Sequence, residues 1–212
     1  MFIGWSSTQD VYFVSYWRYV DDIWGLWEHG QEEVKEFHQL TNTLHPQIKT
    51  ELRYAQKMIE FLVVDVILEN ERIKTDLCTK NTDKYQYLPA TSCHPNSVKR
   101  AIPYGLGVLA KRICSSDKDY KTRRNEIKTH LQNRGYRSSL IEEQLQKVDE
   151  LNREDLLQYK DRKENDRVPL VFTYSKALPN IHAFLRKHLK ILHQSNRLKK
   201  IFLDPPIVSL KT

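Results

Sequence analysis

Glycine is scarce in this chain, 6 in 212 residues, and no glycine-rich phosphate loop of the usual kinds can be assembled from so few. Cysteine is sparser still: Cys78, Cys93 and Cys114 stand far apart, which suggests neither a disulfide framework nor a zinc site and points to reduced intracellular thiols. Cys93-His94 has the form of half a metal site, but the other half is missing, so Cys93 reads as a buried thiol beside a turn. No apolar run approaches the roughly 18 residues of a membrane span. The opening "MFIGWSSTQDVYFVSYW" lacks the basic start and small-residue cleavage site of a signal peptide. Charge is not lacking. Charged residues make up 29% and hydrophobic ones 40%, the balance of a globular chain with a real core, as one large domain or two small ones.

The net charge of +7 is unevenly spread. Residues 1–92 carry 9 Lys+Arg against 14 Asp+Glu, and residues 93–137 carry 11 against 3. Residues 138–168 then hold 6 against 9, and residues 169–212 hold 8 against 1. Two basic blocks therefore flank an acidic stretch, behind an acidic front. Strongly basic blocks favour a polyanionic partner, most often nucleic acid; a solvated helical face is the alternative.

The front of the chain reads as α+β. "VYFVSYWRYV" (11–20) and "IWGLWE" (23–28) are rich in β-branched and aromatic residues and predict two strands with Asp21 and Asp22 at the turn between them. Val34, Phe37, Leu40 and Leu44 recur at helical spacing behind an acidic first turn. Ile48, Thr50, Leu52 and Tyr54 alternate as in a strand. "IEFLVVDVILENERIKTDLC" predicts one hydrophobic strand, a polar turn at Glu69-Asn70-Glu71 and a returning strand. From residue 96 helices take over, at about 96–114, 118–133 and 139–151, with a glycine stop in "NRGYRSS" and a capping box from Ser139 to Glu142. Helix, short turn, helix with basic faces is the pattern of a small helical nucleic-acid-binding unit. Lys99, Arg100, Lys111, Arg112, Lys121, Arg123, Arg124 and Lys128 are its candidate phosphate contacts, while Tyr104 and Tyr136 read as core. "NREDLLQYKDRKENDR" reads as a solvated helix or linker, "VPLVFTY" as a strand, "NIHAFLRKHLKILHQ" as a basic amphipathic helix, and "LKKIFLDPPIVSLK" as a strand ending in Pro-Pro.

Asp21-Asp22 is the anomaly, because two like charges repel and everything around them is apolar. Adjacent carboxylates at a tight turn can share a divalent cation. Magnesium prefers hard oxygen ligands and is usually held by a couple of carboxylates together with substrate phosphates and waters. Two such ions activate a primer 3′-hydroxyl and stabilise the leaving pyrophosphate, given a third carboxylate from another strand.

The motifs "RYVDDIWGLW", "N..HP.I", "IEFLVVDVIL", "IKTDLCTKNTDKYQYL", "SCHPNSVKRAIPYG", "RICS" and "RGY" follow one another in the order seen in reverse transcriptases of Penelope-like retroelements. The resemblance covers about 17–136, and the tail "VPLVFTYSKALPNI…IF…PPIVSLK" looks like that family's segment after the thumb. The helical stretch also resembles the animal helix-turn-helix segment often found in such sequences. The resemblance implies the end of a polymerase palm over 1–88 (β-hairpin, helix, antiparallel strands), a mainly helical thumb over 89–151, and a linker with post-thumb segment over 152–212. It implies that Asp21 and Asp22 are the catalytic, Mg2+-binding pair, that Tyr19 lies under the primer end, and that Val20 is the variable position between them. It further implies an RNA template and DNA primer as partners and a nuclear address.

Departures from the family pattern qualify this reading. Val63 stands where the family usually has Asp in "FLD", Cys78 where Tyr is usual, and Asn81 where Pro is usual. In the family pattern the first catalytic aspartate lies well upstream of Tyr19, with Asp10 too close to stand in for it, and the fingers and template-gripping strands are missing too. This chain is therefore expected not to polymerise by itself, and the nuclease that follows the polymerase in many family members is expected to be absent as well. The alternative is a non-catalytic helix-turn-helix-like nucleic-acid-binding protein or a retroelement relic.

Overall fold

A computed structural model describes residues 15–80, 82–159, 167–175 and 177–211 and divides into two compact units, 1–80 and 81–212. The combination of helices with small, mainly antiparallel sheets makes the fold α+β.

In the first unit, β1 (Ser15–Tyr19) and β2 (Asp22–Leu26) form an antiparallel hairpin in which Trp17 faces Trp24, ring centroids 5.1 Å apart. Such aromatic cross-strand pairs are what hold a two-stranded ribbon together. The expected start of the first strand, residues 11–14, lies outside the described residues. Helix α1 (Gln31–Thr43) carries Glu32 and Glu33 in its first turn, where acidic side chains suit the helix dipole, and its Phe37 ring lies 5.5 Å from that of Trp27.

The alternating run Ile48 to Tyr54 does not form the expected strand. The side chains of α1 take the hydrogen bonds a neighbouring strand would have made. Thr50 N–H donates to Asn42 Oδ1 at 2.7 Å, while Thr50 C=O accepts from Asn42 Nδ2 at 3.2 Å and meets His38 Nε2 at 2.7 Å. Instead β3 (Met58–Phe61), β4 (Val64–Glu69) and β5 (Arg72–Leu77) form an antiparallel meander in the order β3-β4-β5. The single hydrophobic strand expected from "IEFLVVDVIL" is thus broken by a tight turn at Leu62, φ 57°, whereas the polar turn at Asn70 and Glu71 forms where expected.

In the second unit an irregular strap, residues 85–92, leads into α2 (Asn96–Ile113), α3 (Asp117–Asn133), α4 (Ser138–Asp149) and the short α5 (Arg153–Leu157). Ala110, Leu131, Ile141, Leu145 and Val148 are fully buried and form the core. Helix α3 starts on Ser116, whose Oγ accepts from Asp119 N–H at 3.2 Å. It ends in a Schellman motif: Gly135 at φ 82° donates to Gln132 C=O at 2.9 Å, and Tyr136 donates to Leu131 C=O at 3.1 Å. The capping box expected at Ser139 does not form. Arg137 is the cap residue without a side-chain bond, because α4 starts one residue earlier and Ser138 Oγ accepts from Gln132 Nε2 at 2.9 Å.

Beyond α5, β6 (Pro169–Thr173) pairs in parallel with β7 (Ile207–Lys211), and α6 (Ile181–Leu192) and α7 (Asn196–Ile201) lie between them in sequence. "LKKIFLDPPIVSLK" is therefore not a strand closing on Pro-Pro. Its first part completes α7, and the strand begins after Pro206, since proline lacks the N–H a ladder needs.

Two glycines of α2 separate packing from propensity. A Cβ at Gly107 would meet Leu145 Cδ2 at 2.8 Å and Val148 Cγ2 at 3.2 Å, so the absence of a side chain is what lets α2 close on α4. A Cβ at Gly105 would meet nothing within 4 Å. Gly105→Ala is expected to raise stability by about 0.5–1 kcal/mol, and Gly107→Ala to lower it despite the same gain in helix propensity. Thermal unfolding of the two variants checks the opposite signs.

Candidate nucleic-acid interface and acidic hairpin

Of the cations expected to contact phosphate, most are used inside the helical unit. Lys99 Nζ donates to the carbonyls of Ala90 at 2.8 Å and Ser92 at 2.6 Å, pinning the strap to α2. The strap is held at its other end by Arg134, whose Nε donates to Tyr87 C=O at 2.7 Å, and by the Tyr85 ring stacked on His130 at 3.6 Å. Arg100 pairs with Glu143 at 2.6 Å and Arg123 with Glu126 at 2.9 Å. Arg124 reaches Glu142 at 2.9 Å and Asp149 at 3.1 Å, and Lys128 shares Glu142 at 2.5 Å. Lys111 Nζ donates to Asp149 C=O at 2.8 Å and lies 5.1 Å from the Tyr120 ring centroid.

Asp149, at the end of α4, thus gathers three residues of α2 and α3. Tyr120 Oη donates to its Oδ1 at 2.7 Å, and burial followed by this bond drives the phenol well above its ordinary pKa. Lys128 and Arg124 hold Glu142 below the usual carboxylate range. The carboxylates of α4 are consequently engaged by its neighbours, Glu142 by Arg124 and Lys128 of α3 and Glu143 by Arg100 of α2 and Lys147 of α4 itself, in keeping with the acidic stretch read in the sequence.

Arg112 and Lys121 differ. Both are exposed, and among the described residues neither side chain has a hydrogen-bond or ion-pair partner. Lys118, on the same side of the α2–α3 turn as Lys121, and Arg137, at the start of α4, share this state and are not among the cations that the sequence singles out. Sequence spacing does not single them out: no carboxylate lies three or four residues from Arg112, but none does from Arg124 or Lys128 either, and both of those are paired. Tyr136 is core, 4% exposed, as expected, but Tyr104 is 37% exposed.

The acidic hairpin has the expected form at its tip. Tyr19 stands opposite Asp22, and Val20 and Asp21 make the turn. Val20 adopts φ 54°, a left-handed conformation unfavourable for a β-branched residue, and Arg18 Nε braces it by donating to Val20 C=O at 2.8 Å. Tyr19, Asp21 and Asp22 are all exposed. Their two hard oxygen donors fit magnesium chemically, but the structure brings no third carboxylate to them among the described residues.

The group of potential ligands that does converge is Glu60, Asp65 and Cys78, with donor atoms within 4.8 Å of one another. Glu60 faces Asp65 across β3 and β4, and Asp65 faces Asp76 across β4 and β5. Burial and the hydrogen bond with Asp65 push the Cys78 thiol up to about 11, so it remains protonated at neutral pH. Cys93 is exposed, contrary to the buried thiol expected, and the buried thiol is Cys114 at the end of α2. Iodoacetamide at pH 8 should therefore modify Cys93 first, Cys78 slowly and Cys114 only on unfolding, as read by mass spectrometry of the digested protein. Equal rates at Cys78 and Cys93 would contradict the protected thiol.

Three helices closed by two short turns, with the second turn a Schellman glycine, define a helix-turn-helix type of unit. Residues 86–146 match the family model of the animal helix-turn-helix domain, which spans the strap, α2, α3 and most of α4. Comparison with curated proteins and with solved structures returned no match. The resemblance to reverse transcriptases thus finds support only for its helix-turn-helix part. No helix among the described residues is long and apolar enough to cross a membrane.

Proposed function

We propose that this chain is the closing part of a reverse-transcriptase palm followed by a helical thumb that holds nucleic acid. The observation that carries the nucleic-acid reading is the helix-turn-helix match, laid on a unit whose Arg112, Lys118 and Lys121 are exposed and unneutralised. Unpaired surface cations gain most from phosphate, because no intramolecular ion pair has to be broken first. An RNA template and DNA primer are the partners this reading assigns.

The palm part rests on a narrower observation: Tyr19-Val20-Asp21-Asp22 stands at the tip of an antiparallel hairpin, with Val20 held in a left-handed conformation. Strain of about 1–3 kcal/mol at such a site is retained where the surroundings enforce it, and such sites are often functional. Asp21 and Asp22 would hold Mg2+, which in the intact enzyme would activate the primer 3′-hydroxyl and stabilise the leaving pyrophosphate. The alternative in which the chain only binds nucleic acid differs in one measurable respect. The Trp17–Trp24 pair on the same hairpin reports on its tip, so quenching of tryptophan fluorescence by Mn2+ should be lost in Asp21→Asn and kept in Asp204→Asn. Equal quenching in all three proteins would remove the metal role of the aspartates and leave the nucleic-acid reading intact.

A further inference from the structure

The helix-turn-helix unit spends most of its cations on itself; the other basic block does not. From Val168 to Leu203 the sequence contains no aspartate or glutamate. Helix α6 carries Arg186, Lys187 and Lys190, and α7 carries Arg197, Lys199 and Lys200. All six are exposed, and among the described residues none has a side-chain hydrogen bond or ion pair. In charge terms this is a more open surface than α2–α4.

Its apolar residues narrow the partner. At 100° per residue, Arg186, Lys187 and Lys190 share the polar side of α6, and Phe184 and Ile191 lie next to Lys187 on its flank. Phe184 is 57% and Ile191 59% exposed, while Leu185, Leu189 and Leu192 are half-buried. The Phe184 ring is held by His188, centroids 4.5 Å apart. A helix lying in a bilayer needs its whole apolar stripe free, and here the centre of that stripe is already covered by protein. An exposed aromatic ring bordered by unpaired cations is instead the arrangement that takes a stacked base and its phosphates. His193 Nε2 meets Phe202 C=O at 2.7 Å, which ties the end of α6 to the end of α7 and keeps the two basic segments together.

We propose that α6 and α7 form a second nucleic-acid contact, for a single strand, in which Phe184 stacks on a base and Lys187, Lys190 and Lys200 meet phosphates. This goes beyond the helix-turn-helix reading and stands without it. The test is fluorescence anisotropy of the full chain with a labelled oligo-dT of about 20 nucleotides, over a series of KCl concentrations. The triple variant Lys187→Glu/Lys190→Glu/Lys200→Glu should bind at least tenfold more weakly at low salt. Its plot of log affinity against log salt should be shallower by about 2, close to 0.7 for each of the three phosphates no longer neutralised. Phe184→Ala should weaken binding about tenfold with the salt slope unchanged, because stacking releases no counterions. Both variants alter exposed side chains, and unchanged thermal unfolding confirms the fold.

Arg112→Glu/Lys121→Glu separates this surface from the helix-turn-helix unit. If that variant loses duplex binding but keeps the oligo-dT slope, the two surfaces are independent, as proposed. Oligo-dT binding unaffected by the triple variant would overturn the proposal. So would a triple variant that loses only its binding to vesicles containing phosphatidylserine, which would reassign the surface to membranes.

Discussion

Leu145→Ala should lower the stability of the helical unit by about 2–5 kcal/mol, read as a shift of the urea midpoint of helicity in the full chain. Leu145 is fully buried and faces Gly107, the point of closest approach of α2 and α4. Truncation there leaves a cavity that the surroundings cannot fill, because Gly107 has no side chain to move into it and α2 is fixed by Lys99 and Lys111 at its two ends. Leu157→Ala is the matched control: this leucine is 50% exposed, and its removal should change stability by no more than about 0.5 kcal/mol. A small effect at Leu145 would mean that α2 and α4 do not close as described.

Arg124→Ala should cost about 2–3 kcal/mol at pH 7 and much less at pH 3. Arg124 is 18% exposed and bonds Glu142 and Asp149 together, and hydrogen bonds to charged groups are worth about 1.5–3 kcal/mol. The pH dependence follows from Glu142, whose carboxyl is held below its ordinary range by Lys128 and Arg124. A depressed carboxyl contributes stability that is present above its unfolded pKa of about 4.3 and lost as the pH falls through its folded one. Wild type should therefore lose stability on acidification from pH 5 downwards, and Arg124→Ala should lose less, so the two curves converge. A gap between their melting temperatures that stays constant from pH 7 to pH 3 would show that Arg124 acts by packing and not by charge.

Local patterns with local causes were legible in the sequence. The hairpin tip at Asp21, α1, the turn at Asn70, all three main helices and the glycine stop at Gly135 are set by β-branched runs, helical spacing and residues that tolerate a positive φ. Long-range choices were not. Nothing in the alternation of Ile48 to Tyr54 announces that Asn42 will take the hydrogen bonds of Thr50 from eight residues away. Leu62 turns the chain without glycine or proline. Pro-Pro precedes the final strand and does not end it, in keeping with the missing N–H that makes proline a poor partner inside a ladder.

The same division runs through the site. The charge blocks pointed to the helical unit as a polyanion-binding region, but which cations remain free depends on carboxylates 18 to 43 residues away in sequence: Glu142 for Arg124 and Glu143 for Arg100. Sequence spacing shows an i,i+3 pair such as Arg123 with Glu126 and cannot show those. Asp149 takes Arg124 together with Glu142 through its carboxylate and Lys111 through its backbone carbonyl, and Arg112, Lys118, Lys121 and Arg137 are left as the unit's cations open to solvent.

The most direct test of the central claim, that the helix-turn-helix unit binds nucleic acid through these open cations, is the salt dependence of binding of the full chain to an RNA–DNA duplex. Wild type should show a linear fall of log affinity with log salt, and Arg112→Glu/Lys121→Glu should flatten it by about 2, close to 0.9 for each phosphate no longer neutralised. Arg123→Gln, a cation already engaged with Glu126, should leave the slope unchanged. A slope near zero in wild type, or one unmoved by the Arg112 and Lys121 reversals, would contradict the account.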